Sequence, residues 1–378
     1  MSARPRVCVY AEYLYPVVSD GGVLQAGGAE VQMALLAFGL ADRGFEVSVV
    51  TCDFGQPDGL VVNGVRMHIC FDPQAGLPIL RFFHPRLSGA LRALWRADAD
   101  VYVVRGAGLW AGIVCGFTRM RRRRFVWMAA HDHDVTAALP DVHGLRDRWW
   151  ARRAITRADA IVCQTVTQQR ALSRAFGRES TVIMNSVNIP PEALDAGNSS
   201  DVVWLATYKP GKRPDWFTRF AERHPRLHCR MAGVVPTEPS SDGEWLKARA
   251  AAARCANLEV HPTIAHERIG EFLEGAAVFA HSSPSEGFPN TFLEAWSRGL
   301  PVVTCFDPDG IIERERLGAC RRTYEEWEKE VERFAGDSRL RGETGARARA
   351  YAQRVHGSGA AHQALAGLLR GLARTPPA

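Results

Sequence analysis

Cysteine is present in this chain but shows no pairing pattern. None of the nine cysteines belongs to a C-x-x-C motif. Cys8, Cys52, Cys163 and Cys305 lie in or at the end of apolar segments that read as strands. Small buried hydrophobic residues of a reducing compartment have this distribution, whereas disulfide frameworks and zinc clusters have paired spacings. The sequence therefore argues against a disulfide-rich secreted domain and against a structural zinc site.

Long apolar runs are also missing. The longest apolar region, residues 106–117, is interrupted by glycines. It is too short to cross a bilayer, which needs ~20 residues. The first residues have too short an apolar run for a signal peptide. We expect a cytoplasmic protein and leave open a peripheral association with the inner face of a membrane.

Lysine is absent from residues 1–190, although this half carries the whole net positive charge. It contains 22 arginines and 16 acidic residues, whereas residues 191–378 contain 25 residues of each sign. Arg119 and the run from Arg121 to Arg124 belong to the basic half. Such a half can meet an anionic lipid surface or an acidic acceptor, and an ordinary solvated surface is the alternative. A nucleic acid partner is not expected.

A dinucleotide fingerprint of the G-x-G-x-x-G type is missing as well. Residues 6–10, 29–41 and 45–51 read as a strand, a helix and a strand. The glycines of the intervening loop, at positions 21, 22, 27 and 28, do not have the dinucleotide spacing. A chain of 378 residues is too long for one typical core. The sequence thus predicts an α/β protein of two domains.

What the sequence does contain is a compact unit near its C-terminal third. It reads as strand, loop, helix and strand over residues 278–281, 282–290, 291–298 and 301–305. The helix N-terminus suits a phosphate, and Gly287 allows the backbone to approach it closely. Glu294 follows Glu286 by eight residues and lies one turn into the helix. A carboxylate there can accept two hydrogen bonds from a ribose diol.

This unit resembles the donor-site motif of the retaining GT-B glycosyltransferases once called group 1, of the family 4 type. The match S-E-G-F-P-N-x-x-x-E-A-x-x-x-G-x-P-V-V runs from Ser285 to Val303. The resemblance implies the GT-B fold, in which two Rossmann-like domains face each other across a deep cleft. It implies a nucleoside diphosphate sugar as the donor. The donor-binding residues that it assigns here are Gly287, Phe288, Pro289, Asn290, Thr291 and Glu294, and it places Glu286 at the sugar hydroxyls.

Segments of the first half are similar to other motifs of the same family. Gly27-Gly28-Ala29-Glu30 matches its G-G-A-E helix start, which faces the donor phosphates. His131 matches its cleft histidine beside the transferred sugar, and residues 185–188 match its N-G-V-D segment with Ser186 in place of glycine. The resemblance assigns Gly27 and Gly28 to donor binding and His131 to catalysis.

The loop after the first strand of the second half departs from the family pattern. Residues 207–214, T-Y-K-P-G-K-R-P, are similar to its R-x-x-P-x-K-G loop, and Lys212 matches the lysine that binds the diphosphate. Thr207 occupies the position of the paired arginine. Either Lys209 or Arg213 supplies the second positive charge, or this chain works with one fewer.

Two patterns suggest metal ligands, and neither is expected to form a metal site. His131-Asp132-His133-Asp134 follows a strand, but adjacent side chains of an extended chain point in opposite directions. D-x-D sequences begin at Asp98 and Asp307, and only Asp307 follows its strand. We expect Lys212 and the helix dipole to neutralise the diphosphate without a metal or another cofactor.

Two features of the first half bear on the acceptor. Arg105 ends a strand, at the edge where α/β ligand clefts open. It either reaches an acceptor or phosphate, or it forms a plain salt bridge. Residues 81–97 read as a basic, partly amphipathic helix whose Phe82-Phe83 start contacts lipid or the core.

The expected domain organisation follows from these matches. Residues 1–188 form a Rossmann-like acceptor-binding domain, and residues 189–357 a Rossmann-like nucleotide-sugar-binding domain. Residues 358–378 form a final helix that packs back on the first domain. Pro190, Pro191 and residues 197–200 compose the linker.

The resemblance implies a retaining glycosyltransferase of the hexosyltransferase type, acting in polysaccharide or glycolipid synthesis. It moves a sugar from a nucleoside diphosphate sugar to a glycan, a lipid-linked acceptor or a small molecule. No carboxylate is placed as a nucleophile, so we expect front-face attack assisted by the leaving phosphate. One alternative is a catalytically inactive nucleotide- or sugar-binding GT-B protein, which Thr207 favours. A nucleotide-sugar epimerase or a sugar phosphorylase of related fold fits the donor loop less well.

Overall fold

The structure, a computed structural model, describes residues 4–19, 27–77, 80–193, 200–236 and 243–374. Within this part of the chain the backbone forms two compact units. The first consists of residues 4–19, 27–185 and 358–374, and the second of residues 186–357. Gly21 and Gly22 of the first loop and residues 194–199 of the expected linker lie outside the described residues.

The first unit is built on a sheet of eight described strands. These are β1 (Arg6–Tyr10), β2 (Glu46–Thr51), β3 (Val61–Val62), β4 (Val65–Ile69), β5 (Val101–Arg105), β6 (Arg124–Met128), β7 (Ala160–Cys163) and β8 (Thr181–Val182). Their order is β3-β4-β2-β1-β5-β6-β7-β8, and all pairs are parallel except β3 with β4. Helices cover both faces, which is why strands such as β1 are apolar almost throughout.

Six helices precede the second unit in the described residues. They are α1 (Tyr15–Val18), α2 (Gly28–Ala41), α3 (Ser88–Ala97), α4 (Leu109–Met120), α5 (Leu145–Arg157) and α6 (Val166–Phe176). No helix of the described chain is both long enough and apolar enough to cross a membrane. The apolar region 106–117 is instead largely α4, most of which is buried against the sheet and α5.

The helix expected over residues 81–97 is wrong in its first part. Helix α3 begins only at Ser88, and Phe82–Leu87 form a separate, irregular turn. His84 interrupts the helical path with φ −140° and ψ 124°. The cause is Pro85, because a residue before proline is disfavoured in the helical region. Phe83 is 63% exposed at this turn.

The second unit contains a fully parallel sheet with helices on both sides. Its strands are β9 (Asp201–Leu205), β10 (Cys229–Ala232), β11 (Leu258–His261), β12 (Ala276–Ala280), β13 (Val302–Thr304) and β14 (Gly318–Cys320), in the order β11-β10-β9-β12-β13-β14. Its helices are α7 (Pro214–Arg223), α8 (Gly243–Ala252), α9 (Ile269–Leu273), α10 (Asn290–Ser297), α11 (Ile311–Glu315), α12 (Tyr324–Gly336) and α13 (Ser338–Tyr351).

Each sheet has one point at which the strand order reverses. In the first sheet the chain runs outward from β1 through β2 to β4 and returns to β5 on the other side of β1. In the second it runs from β9 through β10 to β11 and returns to β12 beside β9. Loops at the carboxyl ends of such strand pairs diverge and leave a crevice, where ligands bind in open α/β sheets.

The last helix, α14 (Ser358–Arg374), belongs to the first unit. It packs on α2 and the sheet through an apolar stripe that includes Leu365, Ala366 and Leu369. The contact with α2 is close because residue 39 is glycine, where a Cβ would overlap the His362 ring. The domain boundaries expected from the sequence remain predictions, as do the acceptor-binding role of the first domain and the donor-binding role of the second.

Candidate functional site

The predicted donor residues of the second unit lie on the loops at its strand-order reversal. After β9, a short 3-10 turn, Pro210–Lys212, ends at Lys212. After β12, residues 281–289 lead into α10. The Ser282 hydroxyl joins the two loops, since it donates to the Lys212 carbonyl at 2.7 Å and accepts from the Trp204 indole at 2.9 Å. The fold thus brings Lys212 beside Glu286, 74 residues away.

Glu286 receives two hydrogen bonds on the same oxygen. Lys212 Nζ donates to its Oε1 at 2.5 Å, and His281 Nε2 lies 3.3 Å from that atom. The other ring nitrogen of His281 is 2.9 Å from Thr304 Oγ1. A neutral histidine satisfies both contacts if the Thr304 hydroxyl donates to Nδ1 and the proton on Nε2 faces the carboxylate. The result is a buried chain from Thr304 through His281 to Glu286.

The electrostatics of this chain keep the carboxylate ionised. Burial raises the pKa of Glu286, but the hydrogen bond from His281 and the charge of Lys212 outweigh it and lower the pKa to about 2. Burial also lowers the pKa of His281, against the influence of Glu286, which agrees with a neutral imidazole. Glu286 is therefore an anion over the whole physiological pH range.

The pair retains unused hydrogen-bonding capacity. Both contacts of Glu286 fall on Oε1, and among the described residues its Oε2 has no hydrogen-bond donor. The Lys212 ammonium has three N–H groups, one of which points to Glu286. Oε2 can accept from a ligand hydroxyl while the ammonium donates to an anion. This is the chemistry that a sugar joined to a diphosphate requires.

Helix α10 presents the next predicted residues at its N-terminus. It begins at Asn290, and its N-cap is Pro289, whose side chain has no hydrogen-bond acceptor. The preceding Phe288 is buried against Trp296 of the same helix, with ring centroids 6.3 Å apart, and anchors the loop. The first-turn amides, including that of Thr291, have the geometry for a phosphate. Gly287 is buried at the entry to this turn.

Glu294 lies one helical turn further, as expected. Arg298 Nη1 holds its Oε2 at 2.5 Å, and His266 Nε2 lies 3.8 Å from its Oε1. Only 12% of the Glu294 side chain is exposed. Arg298 fixes the carboxylate in one orientation through its Oε2, and Oε1 keeps lone pairs that can accept from a diol.

The loop after β9 contains both candidates for the second positive charge, Lys209 and Arg213. Thr207 is half-buried and accepts the Lys209 amide on its carbonyl at 2.8 Å, while the Lys209 side chain is exposed. Arg213 has φ 48° and stacks on Trp216 with 4.9 Å to the ring centroid. Burial raises the pKa of the Cys305 thiol, and the positive charge of Arg213 opposes this rise. The Cys305 Sγ contacts the Ser282 carbonyl in the donor loop at 3.0 Å.

Gly27 and Gly28 lie at the start of α2 in the first unit. Gly28 is the first helical residue and Gly27 its N-cap. The Glu30 carboxylate folds back over this end, and a Cβ at position 27 would lie 2.8 Å from its Oε2. The helix start is exposed, and the role expected for Gly27 and Gly28 at the donor phosphates stays a prediction.

His131 lies just after β6, at the carboxyl edge of the first sheet. Its Nδ1 accepts the His133 amide at 3.2 Å and caps the 3-10 turn Asp132–Val135. Asp134 completes this turn, since its carboxylate accepts the amides of Ala130 and His131 at 2.8 and 3.0 Å. With Nδ1 used as an acceptor, a neutral His131 carries its proton on Nε2 and can donate to a ligand oxygen.

The argument against convergence of the His-Asp-His-Asp side chains is wrong in part. Because the chain turns at His131, the rings of His131 and His133 lie 4.6 Å apart. Together with Asp141 they offer three ligand atoms within 4.8 Å of one another, so these residues could hold a metal ion. Asp132 instead accepts from Gln168 at 2.9 Å. The expectation of metal-free donor binding stays a prediction.

The D-x-D residues have structural partners. Asp307 accepts the amides of Ile312 and Glu313 at 2.9 and 3.3 Å and so caps α11. Asp98 and Asp100 bind Arg6 and Arg123 at distances of 2.8 to 3.1 Å. These contacts explain both motifs without a ligand.

Sequence reasoning missed the partners that orient the donor residues. His281 is a polar residue directly after the apolar strand β12, at the strand-order reversal. This position was the only sequence signal for its role. Arg298 could have been found, because it follows Glu294 by four residues on a helix. His266 approaches Glu294 only through tertiary structure.

Comparison with known proteins identifies the class. The chain is a GT-B glycosyltransferase. The model of Glycosyltransferase Family 4 matches residues 26–189, and that of Glycosyl transferases group 1 matches residues 198–350, so the chain belongs to this family as its motifs predicted. A D-inositol 3-phosphate glycosyltransferase from Rhodococcus erythropolis is 25% identical over 340 residues, which cover 80% of this chain and 76% of that protein.

Solved structures share the fold at lower identity. HepE from Anabaena in complex with UDP-glucose has a TM-score of 0.75 at 16% identity, over 97% of this chain and 99% of that one. The catalytic domain of starch synthase IV from Arabidopsis thaliana, bound to ADP and acarbose, has a TM-score of 0.72 at 12% identity, over 99% and 100%. WaaG, a glycosyltransferase involved in lipopolysaccharide biosynthesis, has a TM-score of 0.65 at 15% identity, over 97% and 100%. The GT-B fold expected from the sequence is confirmed.

Proposed function

We propose that this glycosyltransferase transfers a hexose from a nucleoside diphosphate hexose with retention at the anomeric carbon. The observation that carries the proposal is the contact of Lys212 and His281 with one oxygen of Glu286, at the strand-order reversal of the second sheet. UDP-glucose is the first donor to test, because HepE binds it on the same fold. ADP-glucose is the comparison, because starch synthase IV binds ADP.

Each donor group then has one partner of fitting chemistry. Lys212 and the first-turn amides of α10 bind the diphosphate, and Glu294 accepts from the ribose diol. Glu286 Oε2 accepts from a sugar hydroxyl. The family resemblance assigns the transferred sugar to His131 and the donor phosphates to Gly27 and Gly28. Arg213 supplies the second positive charge in place of the arginine missing at Thr207, since Trp216 holds it near the donor loop.

The chemical step is a front-face substitution. The acceptor oxygen forms a bond to the anomeric carbon on the face from which the diphosphate leaves, and the bond from that carbon to the diphosphate oxygen breaks. The acceptor proton passes to the leaving phosphate oxygen. Lys212 stabilises the negative charge that grows on the diphosphate, which is electrostatic stabilisation by a preorganised group. No metal takes part in this scheme.

The acceptor is a glycan, a lipid-linked sugar or a small hydroxylated molecule, and the setting is polysaccharide or glycolipid synthesis in the cytoplasm. A surface of the first unit favours work at a membrane. We name it the α5 surface, and it consists of Leu145, Arg146, Trp149, Arg152 and Arg153. Leu145 is 84% and Trp149 55% exposed, and the three arginines belong to the same helix. Apolar and aromatic groups among cations suit an anionic lipid interface.

Transfer assays on variants test this function. Lys212→Ala and Glu294→Ala should reduce transfer from UDP-glucose at least about a hundredfold, because each removes a charged contact to the donor. Both variants should keep the wild-type melting temperature within a few degrees. Lys329→Ala and Glu343→Ala, exposed positions of the same unit, are the matched controls. Wild-type turnover in the two donor-site variants would remove the site assignment.

Retention and the inactive alternative need separate readouts. NMR of the product should show the same anomeric configuration as the donor, and inversion would exclude the front-face scheme.

Thr207 in the arginine position is the one observation that favours a binding protein without activity. UDP binding with no transfer or hydrolysis of any tested nucleotide sugar would support that alternative.

A further inference from the structure

A pocket lies on the face of the first sheet on which α3 packs. Its volume is ≈ 180 Å³, and all of its lining residues belong to the first unit. Its walls are the first residues of β1 and β2, the antiparallel pair β3 and β4, and the last turn of α3. Arg6 and Glu46 begin their parallel strands, so this part of the pocket lies at the amino edge of the sheet, whereas His131 lies at the carboxyl edge. The donor scheme uses none of the residues in this pocket.

The alternation of side chains along β4 accounts for the polar groups of the pocket. Val65 and Met67 face the buried core on one side of the sheet. Arg66 and His68 therefore face the other side, and Ser48 of β2 lies in register with Arg66. A sheet face that a helix covers is normally apolar. Three polar side chains together on this face indicate a binding role rather than packing.

His68 is buried without a partner in the described chain. Only 8% of this residue is exposed, and no described residue forms a hydrogen bond or an ion pair with its ring. Burial and the charges of Arg96 and Arg66 lower the pKa of His68, against the influence of Asp58, so the ring is neutral near pH 7. A neutral imidazole has one N–H donor and one acceptor nitrogen, and it is costly to bury when both lack partners. A ligand in the pocket would complete these hydrogen bonds.

Two arginines of the pocket are held in position by carboxylates. Arg6 donates to Asp98 at 2.9 Å and to Asp100 at 3.1 Å. Arg96 is paired with Asp58. A guanidinium has five N–H groups, so each of these arginines keeps donors for a further acceptor. Because their partners neutralise much of their charge, they contribute directed hydrogen bonds more than net charge.

Arg66 and Glu46 are the remaining charged groups of the pocket. Both are exposed, and neither has an ion-pair partner within 4.0 Å among the residues that the structure describes. At the His68 ring the charges of Arg66 and Arg96 outweigh that of Asp58, whereas Glu46 does not act on this ring. The part of the pocket beside His68 is therefore positive.

An anion with several acceptor oxygens fits this set of donors. Guanidinium groups, an imidazole N–H and the Ser48 hydroxyl line the pocket from three strands and a helix. A phosphate offers at least three oxygens in a tetrahedral arrangement and forms charge-assisted hydrogen bonds with guanidinium groups, whereas a carboxylate offers two oxygens in one plane. The volume is below the ~300 to 1,000 Å³ of sites for drug-sized ligands, which suits a phosphate group and is too small for a whole nucleotide.

We infer that this pocket binds a phosphate group through Arg66, His68 and Arg96, and that it is separate from the donor site. Inorganic phosphate and the phosphate of a small phosphomonoester share this chemistry, and titration with each distinguishes the two. The inference goes beyond the proposed function and does not depend on it.

Calorimetric titration of the full-length protein with inorganic phosphate tests the inference, in the presence of saturating UDP, which fills the donor site. Phosphate should bind the wild type. Arg66→Ala should weaken this binding at least about tenfold because a charged contact is lost, and His68→Leu at least about threefold. Glu46→Gln should strengthen it about twofold, since a repelling carboxylate is removed. Arg92→Ala and Glu179→Gln, exposed positions of the same unit, are the matched controls and should leave it unchanged.

Titration with glycerol phosphate under the same conditions identifies the source of the phosphate group. Tighter binding than that of inorganic phosphate assigns the pocket to a phosphomonoester, and equal or weaker binding assigns it to free phosphate. Because Arg66 is exposed, Arg66→Ala should keep the fold and decides the result if His68→Leu does not fold.

Three results would overturn the inference. One is that the wild type binds neither inorganic phosphate nor glycerol phosphate, and another is equal binding in Arg66→Ala and Arg92→Ala. The third is phosphate binding that disappears when UDP is added, because the phosphate would then occupy the donor site. UDP affinity should stay within about twofold in all variants. If the wild type fails to bind UDP while phosphate binding still depends on Arg66, the proposed function is wrong and the inference stands.

Discussion

At the scale of single residues, the donor site depends on how a buried carboxylate is kept ionised and oriented. The motif located Glu286 and Lys212, but it could not show that they touch, because tertiary structure brings the two loops together, with Ser282 bonded to both Trp204 and Lys212. It also gave no role to His281. A sequence motif gives the identity of the residues that face the ligand. The residues that orient them are brought into place by tertiary contacts, which leave no regular spacing in the sequence.

The first prediction concerns His281. His281→Leu removes the hydrogen bond that lowers the pKa of Glu286 most, so burial should raise that pKa. Because the carboxylate is the active form, the acidic limb of kcat/KM for UDP-glucose should move to higher pH. His281→Gln, which keeps an N–H donor, should move it less. An acidic limb that stays in place in the leucine variant would show that His281 only fills space.

The second prediction concerns Glu12 and stability. Its folded pKa of about 7 lies above the usual 4.5, so the folded state holds the proton more tightly. This stabilisation is complete below pH 4.5 and is lost as pH rises through 7. Glu12→Gln removes the titration. The free energy of unfolding of the variant, relative to wild type, should therefore rise by up to about 3 kcal/mol between pH 5 and pH 8.

Denaturant unfolding of both proteins at the two pH values measures this difference. The neighbours that act on Glu12 are Tyr10, Arg86 and Glu30. Burial raises the pKa of Tyr10 well above its usual value, so the Tyr10 hydroxyl stays protonated in this interval. A difference that is constant from pH 5 to pH 8 would mean that Glu12 ionises normally in the folded protein.

At the scale of elements, the donor helix α10 is held from behind by α13. Gly299 ends α10 with φ +82°, a conformation that favours glycine. Gly345 of α13 lies directly on the Gly299 carbonyl, and a Cβ at position 345 would overlap that oxygen. Gly299 provides the backbone conformation that ends α10, and Gly345 leaves room for the Gly299 carbonyl. These two glycines therefore set how closely the two helices pack.

The third prediction follows from this contact. Gly345→Ala should destabilise the protein by about 1–3 kcal/mol, because the overlap forces α13 away from α10. Gly342→Ala is the matched control on the same helix, where a Cβ meets nothing within 4 Å. It should be neutral or stabilising by about 0.5–1 kcal/mol through helix propensity. Thermal unfolding of the two variants measures both effects. Equal melting temperatures would contradict the close packing of the two helices.

Elements with a clear period or a strong motif were predictable, and short or uniformly apolar ones were not. The strand, loop and helix around Glu286 lie within two residues of their expected limits. Helix α4 escaped assignment because it is apolar on most sides, as expected of a helix covered by other elements. Strands β3 and β14 have two and three residues, too few to show alternation. The proline at position 85 was a signal that the sequence analysis did not use.

At the scale of the whole molecule, the family, the fold and the enzyme class were all predictable, because motifs match in order along the chain. The identity of the acceptor was not, because no motif of the chain carries it.

The fourth prediction concerns the α5 surface. The protein should sediment with vesicles that contain phosphatidylglycerol at low salt, and less with phosphatidylcholine alone, because arginines and exposed apolar groups act together there. Leu145→Ala should weaken this binding severalfold. Leu246→Ala, an exposed leucine of the second unit, is the control. Absence of sedimentation with anionic vesicles at low salt would exclude a membrane role.

The central claim is that the loops around Lys212 and Glu286 form the donor site, and calorimetric titration with UDP tests it most directly. Wild type and Lys329→Ala should bind UDP with equal affinity. Lys212→Ala should bind at least about tenfold more weakly, since a charged contact to the diphosphate is lost. Failure of the wild type to bind UDP, ADP or any other nucleoside diphosphate, or equal affinity in Lys212→Ala, would contradict the account.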